Sequence, residues 1–179
     1  YDRIGSVLPV APPGRGLTRQ QQFTRSILNS LAAAGCTEVL SYPFVSAGSN
    51  ELFADSKKAV ALANPLQEEA GQLRMSLIPG LIETARRNLS RGLTDLAIVE
   101  QGSVFVASKA KPSTFPDTAT KPSEQEIANI QAGIPSQPKH IAGLFLGSRV
   151  SGKSNQKSLA SGIEDALEAA RVVGFAVGV

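Results

Sequence analysis

The stretch with the most explicit chemistry is Gly147-Ser148-Arg149-Val150-Ser151-Gly152-Lys153-Ser154. It fits the phosphate-loop pattern G-x-x-x-x-G-K-[ST]. In that pattern backbone amides cradle phosphates, the lysine neutralises charge and the hydroxyl holds magnesium. Lys153 and Ser154 would take the last two roles. The surroundings argue against it. A phosphate loop needs its helix to start at the Gly-Lys-Ser itself, because the first-turn amides bind the anion. Here Ser154-Asn155-Gln156-Lys157 is polar, and apolar periodicity begins only near Leu159. The chemistry also needs a parallel sheet and a strand-end aspartate for magnesium. No earlier strand candidate offers one. The residues favour a Gly/Ser surface loop, with nucleotide binding as the alternative.

Other reactive side chains are few. The chain holds one histidine, His140, and one cysteine, Cys36. Together they exclude a His/Cys zinc site, and their separation in sequence argues against a Cys–His dyad. His140 reads as a residue flanking a strand. Cys36 has no partner for an internal disulfide, which suits a cytoplasmic protein.

The elements that would position any site are those of a globular domain. Hydrophobic residues make up 42% of the 179 and charged residues 18%, which excludes a disordered chain. No apolar run is long enough to span a bilayer. The net charge of +3 is spread without a basic tract, so charge alone implies no nucleic-acid partner. Both ends read as cut from a longer polypeptide. Tyr1 is not an initiator, and Phe175–Val179 is an apolar, β-like run with nothing to close it.

Residues 1–17, with Pro9, Pro12, Pro13 and several glycines, read as an extended lead-in, and 18–179 as one domain. The first helix runs over Thr18–Ala34. Thr18 and Gln21 form a capping box, Phe23, Ile27, Leu28 and Leu31 share one face, and Gly35 is the stop. Thr37–Val45 reads as a strand, with Pro43 placing it at an edge or end. Ser49–Phe53 reads as a short helix and Ala59–Leu62 as a short strand ended by Asn64-Pro65. Residues 67–73 are ambiguous. The second helix spans Ser76–Arg91, with Pro79 in its first turn and Gly92 as its stop. Ile78, Leu81, Ile82, Ala85 and Leu89 make its apolar side. Asp95–Val99 and Ser103–Ala107 read as strand continued or paired around Gly102. Residues 108–136 carry Pro112, Pro116, Pro122 and Pro135 and read as a long, exposed, mobile loop with a turn or two of helix at Glu124–Gln131. Ile141–Leu146 is a strand. Ser158–Val173 is a helix with Leu159, Ile163, Ala166, Leu167 and Ala170 inward and Gly174 as its stop. Without βαβ alternation, this order favours an α+β fold, an antiparallel sheet flanked by helices.

Several segments, taken in order, resemble the bacterial phenylalanine–tRNA ligase β-subunit family. They are Tyr1–Pro9, Gly35–Ser46, Leu62–Leu66, Leu73–Leu81, Asn88–Gly92, Glu100–Phe105 and His140–Gly147. The resemblance omits residues 108–136. It implies a class II aminoacyl-tRNA synthetase-like antiparallel sheet flanked by helices. It also implies an enzyme that joins phenylalanine to tRNA with ATP and magnesium, as a heterotetramer of two α and two β subunits in the cytoplasm. The catalytic site would lie in the α subunit, and this piece would be a structural, partner-binding module that is inactive alone. The residues agree. The motif 2 strand position reads Ser103-Val104-Phe105-Val106-Ala107 with no arginine for the α-phosphate, and motif 3 has no match. Arg74 is the remaining candidate for a phosphate contact. Against that stands an ion pair with Glu68, Glu69 or Glu100, which is favoured. No catalytic, cofactor-binding or metal residue is assigned, and the magnesium-binding acidic residues of the family would lie outside this chain. Gly35–Ser46 resembles motif 1, which pairs subunits. That similarity implies an interface at Arg25, Asn29, Ala33, Tyr42 and Phe44, with the first helix presenting a face poor in charge.

Overall fold

The computed structural model describes residues 1–8, 10, 14, 16–109, 117, 119–147 and 159–177, and in the last segment the side chains of 163–172. Helix α1 (Arg19–Ala33) begins where a local signal dictates. The Thr18 hydroxyl accepts from the Gln21 N–H, and the Gln21 side chain accepts from the Thr18 N–H. Gly35 ends the element at φ 84°, a backbone conformation that only glycine adopts without strain.

The segment expected as one strand over Thr37–Val45 is two. Strand β1 (Thr37–Glu38) pairs with β4 (Leu96–Ser103), whereas β2 (Phe44–Val45) pairs with β3 (Gln72–Leu73) in a second sheet. The break has two physical causes. Pro43 has no N–H to give, and the N–H of Ser41 goes to the side chain of Glu100 rather than to a neighbouring strand. Between β2 and β3 in sequence comes α2 (Ala47–Phe53), capped by Ser46. Its Asn50 is 1% exposed and holds the second sheet in place. The Asn50 amide donates to Gln72 Oε1 and Leu73 O, and its oxygen accepts from the Met75 N–H. Ala59–Leu62 contributes only an isolated bridge, Ala61 to Gln72.

Helix α3 (Ile78–Leu89) lies within the expected Ser76–Arg91, with Pro79 in its first turn, the Ser76 hydroxyl accepting from the Ile78 N–H, and Gly92 at φ 85° after its end. Of its expected apolar side Leu81 and Ala85 are buried, whereas Ile78, Ile82 and Leu89 are exposed. Strand β4 runs unbroken through Gly102 to Ser103, so Ser103–Ala107 is not a strand of its own. Val106 merely bridges to Ser136. Within 108–136 the chain forms α4 (Glu124–Ala132), with a Ser123–Glu126 capping box. The Ser123 backbone N–H, and then its hydroxyl, hold the Glu126 carboxyl below its ordinary pKa. Residues 110–116 and 118 of that segment lie outside the described residues. Strand β5 (Lys139–Leu146) is longer than expected and includes His140, which is therefore within a strand rather than beside one.

The main sheet has the order β1-β4-β5. β4 and β5 are antiparallel, as expected, but β1 and β4 are parallel. A parallel pair requires a crossover, and the passage through α2 and α3 supplies it. Alternate residues of β4 face opposite helices. Ile98 and Leu96 pack with Leu81 and Ala85 of α3, while Val99 packs with Ile27, Leu31, Cys36 and Ala166. A strand covered on both faces has little polar alternation, which is why Leu96–Val99 is a continuous apolar run.

Helix α5 (Leu159–Val177) lies against α1, where the Ser30 hydroxyl donates to Ala169 O at 3.0 Å. Two expectations fail here. Leu167 is 65% exposed, while Ala166 and Ala170 face the core as expected, with Ala169 beside them. Small side chains permit the close helix approach that a leucine would obstruct. Gly174 also does not stop the helix, so Phe175 to Val177 continue it rather than forming a β-like tail. A glycine inside a helix costs only about 1 kcal/mol, less than a firm stop requires. Among the described residues no helix is long and apolar enough to cross a membrane.

These burials set a contrast. Leu81 is fully buried, so Leu81→Ala is expected to destabilise the domain by about 2–5 kcal/mol. Leu167→Ser is expected to stay within about 0.5 kcal/mol. Urea denaturation of both variants checks the orientation of α5.

Candidate functional site

Where β3, α3 and β4 meet, two charged side chains are buried together. Glu100 is 0% exposed and Arg74 6%. Arg74 Nη1 donates to Glu100 Oε1 at 2.5 Å and to the Ser41 hydroxyl at 3.1 Å, and Arg74 Nε donates to Ser103 O at 3.0 Å. The Ser41 hydroxyl in turn donates to Glu100 Oε2, and the Ser41 N–H to Glu100 Oε1 at 3.3 Å. The carboxylate is thus met by a guanidinium, a hydroxyl and an amide.

The sequence makes room for this cluster with two glycines. A Cβ on Gly102 would collide with Arg74 Nη2, and one on Gly80, in the first turn of α3, would collide with the Ser41 side chain. Of the three acidic partners expected for Arg74, Glu100 is the one it meets. Glu68 and Glu69 stand on an exposed 3-10 turn. The arginine left as a candidate phosphate ligand is therefore committed to a carboxylate of its own chain.

Beside the cluster is a cavity of about 460 Å³ lined by Leu40, Tyr42, Pro43, Arg74, Ser103 and Phe105. A second cavity of about 620 Å³ shares Tyr42 and adds Phe44, Leu62, Pro65 and Leu66. Tyr42 is 85% exposed, Leu40 89% and Leu66 103%. Leu40 and Leu66 were not singled out from sequence. The available signal was alternation, because once Ser41 turns inward its neighbours must turn outward.

The expected interface residues are all exposed, but they form two groups. Arg25 and Asn29 of α1 line a cleft with Leu17, Leu28, Glu38, Gln101 and Lys139, and Ala33 lies further along the helix. Tyr42 and Phe44 line the separate apolar cavity. Neither of these two cavities contains members of both groups.

The phosphate-loop pattern gains no support. Gly147 is its one described residue. At φ 72° Gly147 makes a turn against Thr94 and Asp95, with the Asp95 carboxylate where its Cβ would be. A carboxylate against the first glycine disfavours an anion. Residues 148–154 lie outside the described residues. His140, exposed on β5, borders a cleft with Arg19 and Phe23. Among the described residues no three His, Cys, Asp or Glu side chains gather as a metal site.

Comparison with known proteins agrees with this geometry. The sequence model of the phenylalanyl tRNA synthetase beta chain CLM domain matches residues 4–179. The chain is 50% identical to the phenylalanine–tRNA ligase beta subunit of Leifsonia xyli subsp. xyli over 99% of its length, which is 22% of that relative. It is 39% identical to the same subunit of Thermobifida fusca, over 97% of this chain and 22% of the relative. Thus it spans about a fifth of the curated relatives it matches. Among solved structures it is similar to a pyrrolysyl tRNA synthetase, PylSc, of Desulfitobacterium hafniense (TM-score 0.51, 15% identity, 88% of this chain and 45% of that one). It is also similar to a histidine–tRNA ligase subunit of Alicyclobacillus acidocaldarius (TM-score 0.51, 16% identity, 97% and 44%). At such identities the likeness is one of fold, the α+β core of class II synthetases with its mixed sheet and flanking helices.

The buried pair makes a sharp prediction. Arg74→Met leaves Glu100 buried without its counter-charge, and a loss of about 3–5 kcal/mol is expected. The double variant Arg74→Met, Glu100→Leu is expected to regain most of that loss. Thermal melts of the three proteins, followed by circular dichroism, test the expectation. A double variant as unstable as the single one would contradict it.

Proposed function

This chain belongs to the family of the phenylalanyl tRNA synthetase beta chain CLM domain, and from that premise we propose that it serves phenylalanyl-tRNA formation by holding subunits together. It is a non-catalytic part of the beta chain. The whole protein would be a phenylalanine–tRNA ligase that uses ATP and magnesium, assembled from two α and two β subunits in the cytoplasm. Phenylalanine activation and tRNA charging would take place on the α subunit.

One observation carries the non-catalytic reading. Class II activation needs a free arginine to stabilise charge on the transferring phosphate. The strand that should present it continues as Ser103-Val104-Phe105-Val106-Ala107, and the nearby Arg74 is spent on Glu100. A guanidinium already paired and 94% covered has little left for a nucleotide. Among the described residues no group of acidic, His or Cys side chains gathers as a metal site, and the place of ATP and magnesium would be on the catalytic partner.

For the partner-binding role, α1 supports a contact along Arg25, Asn29 and Ala33. These residues recur every fourth position and so lie along one exposed stripe. The helix has no acidic residue in its first turn and no basic residue in its last, which leaves a low charge density for an exposed face. Interfaces deplete charge at their centres.

Two measurements test the reading. The isolated chain is expected to show no phenylalanine-dependent ATP–pyrophosphate exchange above background. In the full-length β subunit, Ala33→Asp is expected to weaken assembly with the α subunit, seen by sedimentation, with the circular dichroism spectrum unchanged. Exchange activity in the isolated chain would overturn the first half of the reading. Unchanged assembly would remove α1 from the interface.

A further inference from the structure

We propose that residues 42–73 form a flap that unfolds and refolds as one cooperative unit while the main sheet and its helices stay folded, between hinges at Ser41 and Arg74, whose side chains meet at Glu100. The inference is independent of the partner-binding reading. It concerns the internal stability of this chain, and its test does not measure assembly.

The first observation is where apolar burial lies. Among the described residues both core clusters draw on α1, α3, α5, β4 and β5, with Cys36 and Val39, and on nothing from 42–73. Within that span Asn50 is the single buried residue, and it is polar. The apolar side chains of the span are half-buried or exposed. A segment with so little apolar burial opens at a lower free energy than the core strands do.

The second observation is that the span is bonded to itself. The Asn50 amide donates to Gln72 Oε1 and Leu73 O, which ties α2 to β3. The Leu62 N–H donates to Gly71 O, the Leu73 N–H donates to Val60 O, and β2 pairs with β3. The outgoing and returning halves thus hold each other. Releasing one half leaves the bonds of the other unmade, so the span opens as a unit instead of fraying piece by piece.

The third observation is how the span is attached. Its two ends are pinned at one carboxylate of the central strand, because Ser41 and Arg74 both donate to Glu100. Beyond the hinges, Lys58 O accepts from the Ala107 N–H and Asn50 Oδ1 accepts from the Met75 N–H. Opening the flap breaks these polar ties and leaves the ion pair intact. Unfolding the whole domain breaks the pair as well and exposes both core clusters. The smaller opening is therefore the cheaper one, since no buried charge loses its partner in it.

The test is amide hydrogen exchange, read by mass spectrometry on the full-length β subunit assembled with its α subunit, across a series of guanidinium concentrations below the unfolding transition. The N–H groups of Ala54, Leu62 and Leu73 are expected to share one opening free energy and one denaturant slope, both lower than those of Ile98 to Gln101 in β4. Two variants separate the units. Ile98→Val removes a methyl from the core between α3 and β4, and it is expected to speed exchange in β4 by about two- to tenfold while the flap keeps its parental rates. Asn50→Asp removes the two donors to β3, and it is expected to speed exchange at Ala54, Leu62 and Leu73 by about tenfold or more without changing β4. Ile98→Val decides the matter whatever Asn50→Asp does to folding. Equal acceleration of flap and β4 in Ile98→Val would overturn the inference, because the two would then open together. Separate slopes for Ala54, Leu62 and Leu73 in the parent would overturn it equally, because the span would be fraying and not opening as a unit.

Discussion

The ion pair between Arg74 and Glu100 is the constraint around which the rest is arranged. Charges buried this deeply are tolerated only when each is paired and hydrogen-bonded, and the pair contributes little net stability over an apolar replacement. Its importance is geometric. Glu100 sits in the central strand, Arg74 follows β3, and Ser41 lies in the link between the two sheets. Satisfying one carboxylate therefore fixes three segments that are distant in sequence. The glycines at 80 and 102 are consequences, since any side chain there would occupy the space of Ser41 or of the guanidinium.

That arrangement explains which parts of the fold were legible. Helices α1 and α3 carry their instructions locally, in Thr18 and Gln21, in Pro79, and in Gly35 and Gly92, so their ends fall close to expectation. The strand over Thr37–Val45 was misread because its β-forming residues suggest continuous pairing, while the acceptor that breaks it, Glu100, lies 59 residues away. No local pattern contains that information. The parallel pairing of β1 with β4 is likewise a property of the path between them and not of either strand. In α5 Ala166 and Ala170 lie inward as expected, but Leu167 does not. Leucine at 167 is the more hydrophobic choice, yet the fit against α1 selects Ala166, Ala169 and Ala170.

The site was legible in a different way. Composition, net charge and the phosphate-loop pattern pointed either nowhere or in a direction the structure does not support. The informative feature was the order and spacing of short segments, among them Leu73–Leu81 and Glu100–Phe105, which hold the ion pair and the glycine beside it. These residues fit a fold whose catalytic relatives need a free arginine, and here the arginine is turned inward. A structural role follows from the same residues that carry the family likeness. The interface expectation was coarser, because it rested on one helix–strand segment whose two halves line different clefts.

The inward turn has a further consequence at the surface. In an extended segment successive side chains alternate. Val39 packs toward α3 and Ser41 points at Glu100, so Leu40 and Tyr42 must point away, and they are 89% and 85% exposed. Leaving a leucine and a tyrosine in water forgoes roughly 2 kcal/mol of burial for each. The chain cannot recover that burial by rotating the segment, because Ser41 would then abandon a buried carboxylate at a larger cost. A one-residue shift would also turn Val39 out of the core. The exposed strip is therefore coupled to the ion pair, and Arg74 lines the same cavity as Leu40 and Tyr42. Covering the strip from outside is the remaining way to bury those side chains without breaking the pair.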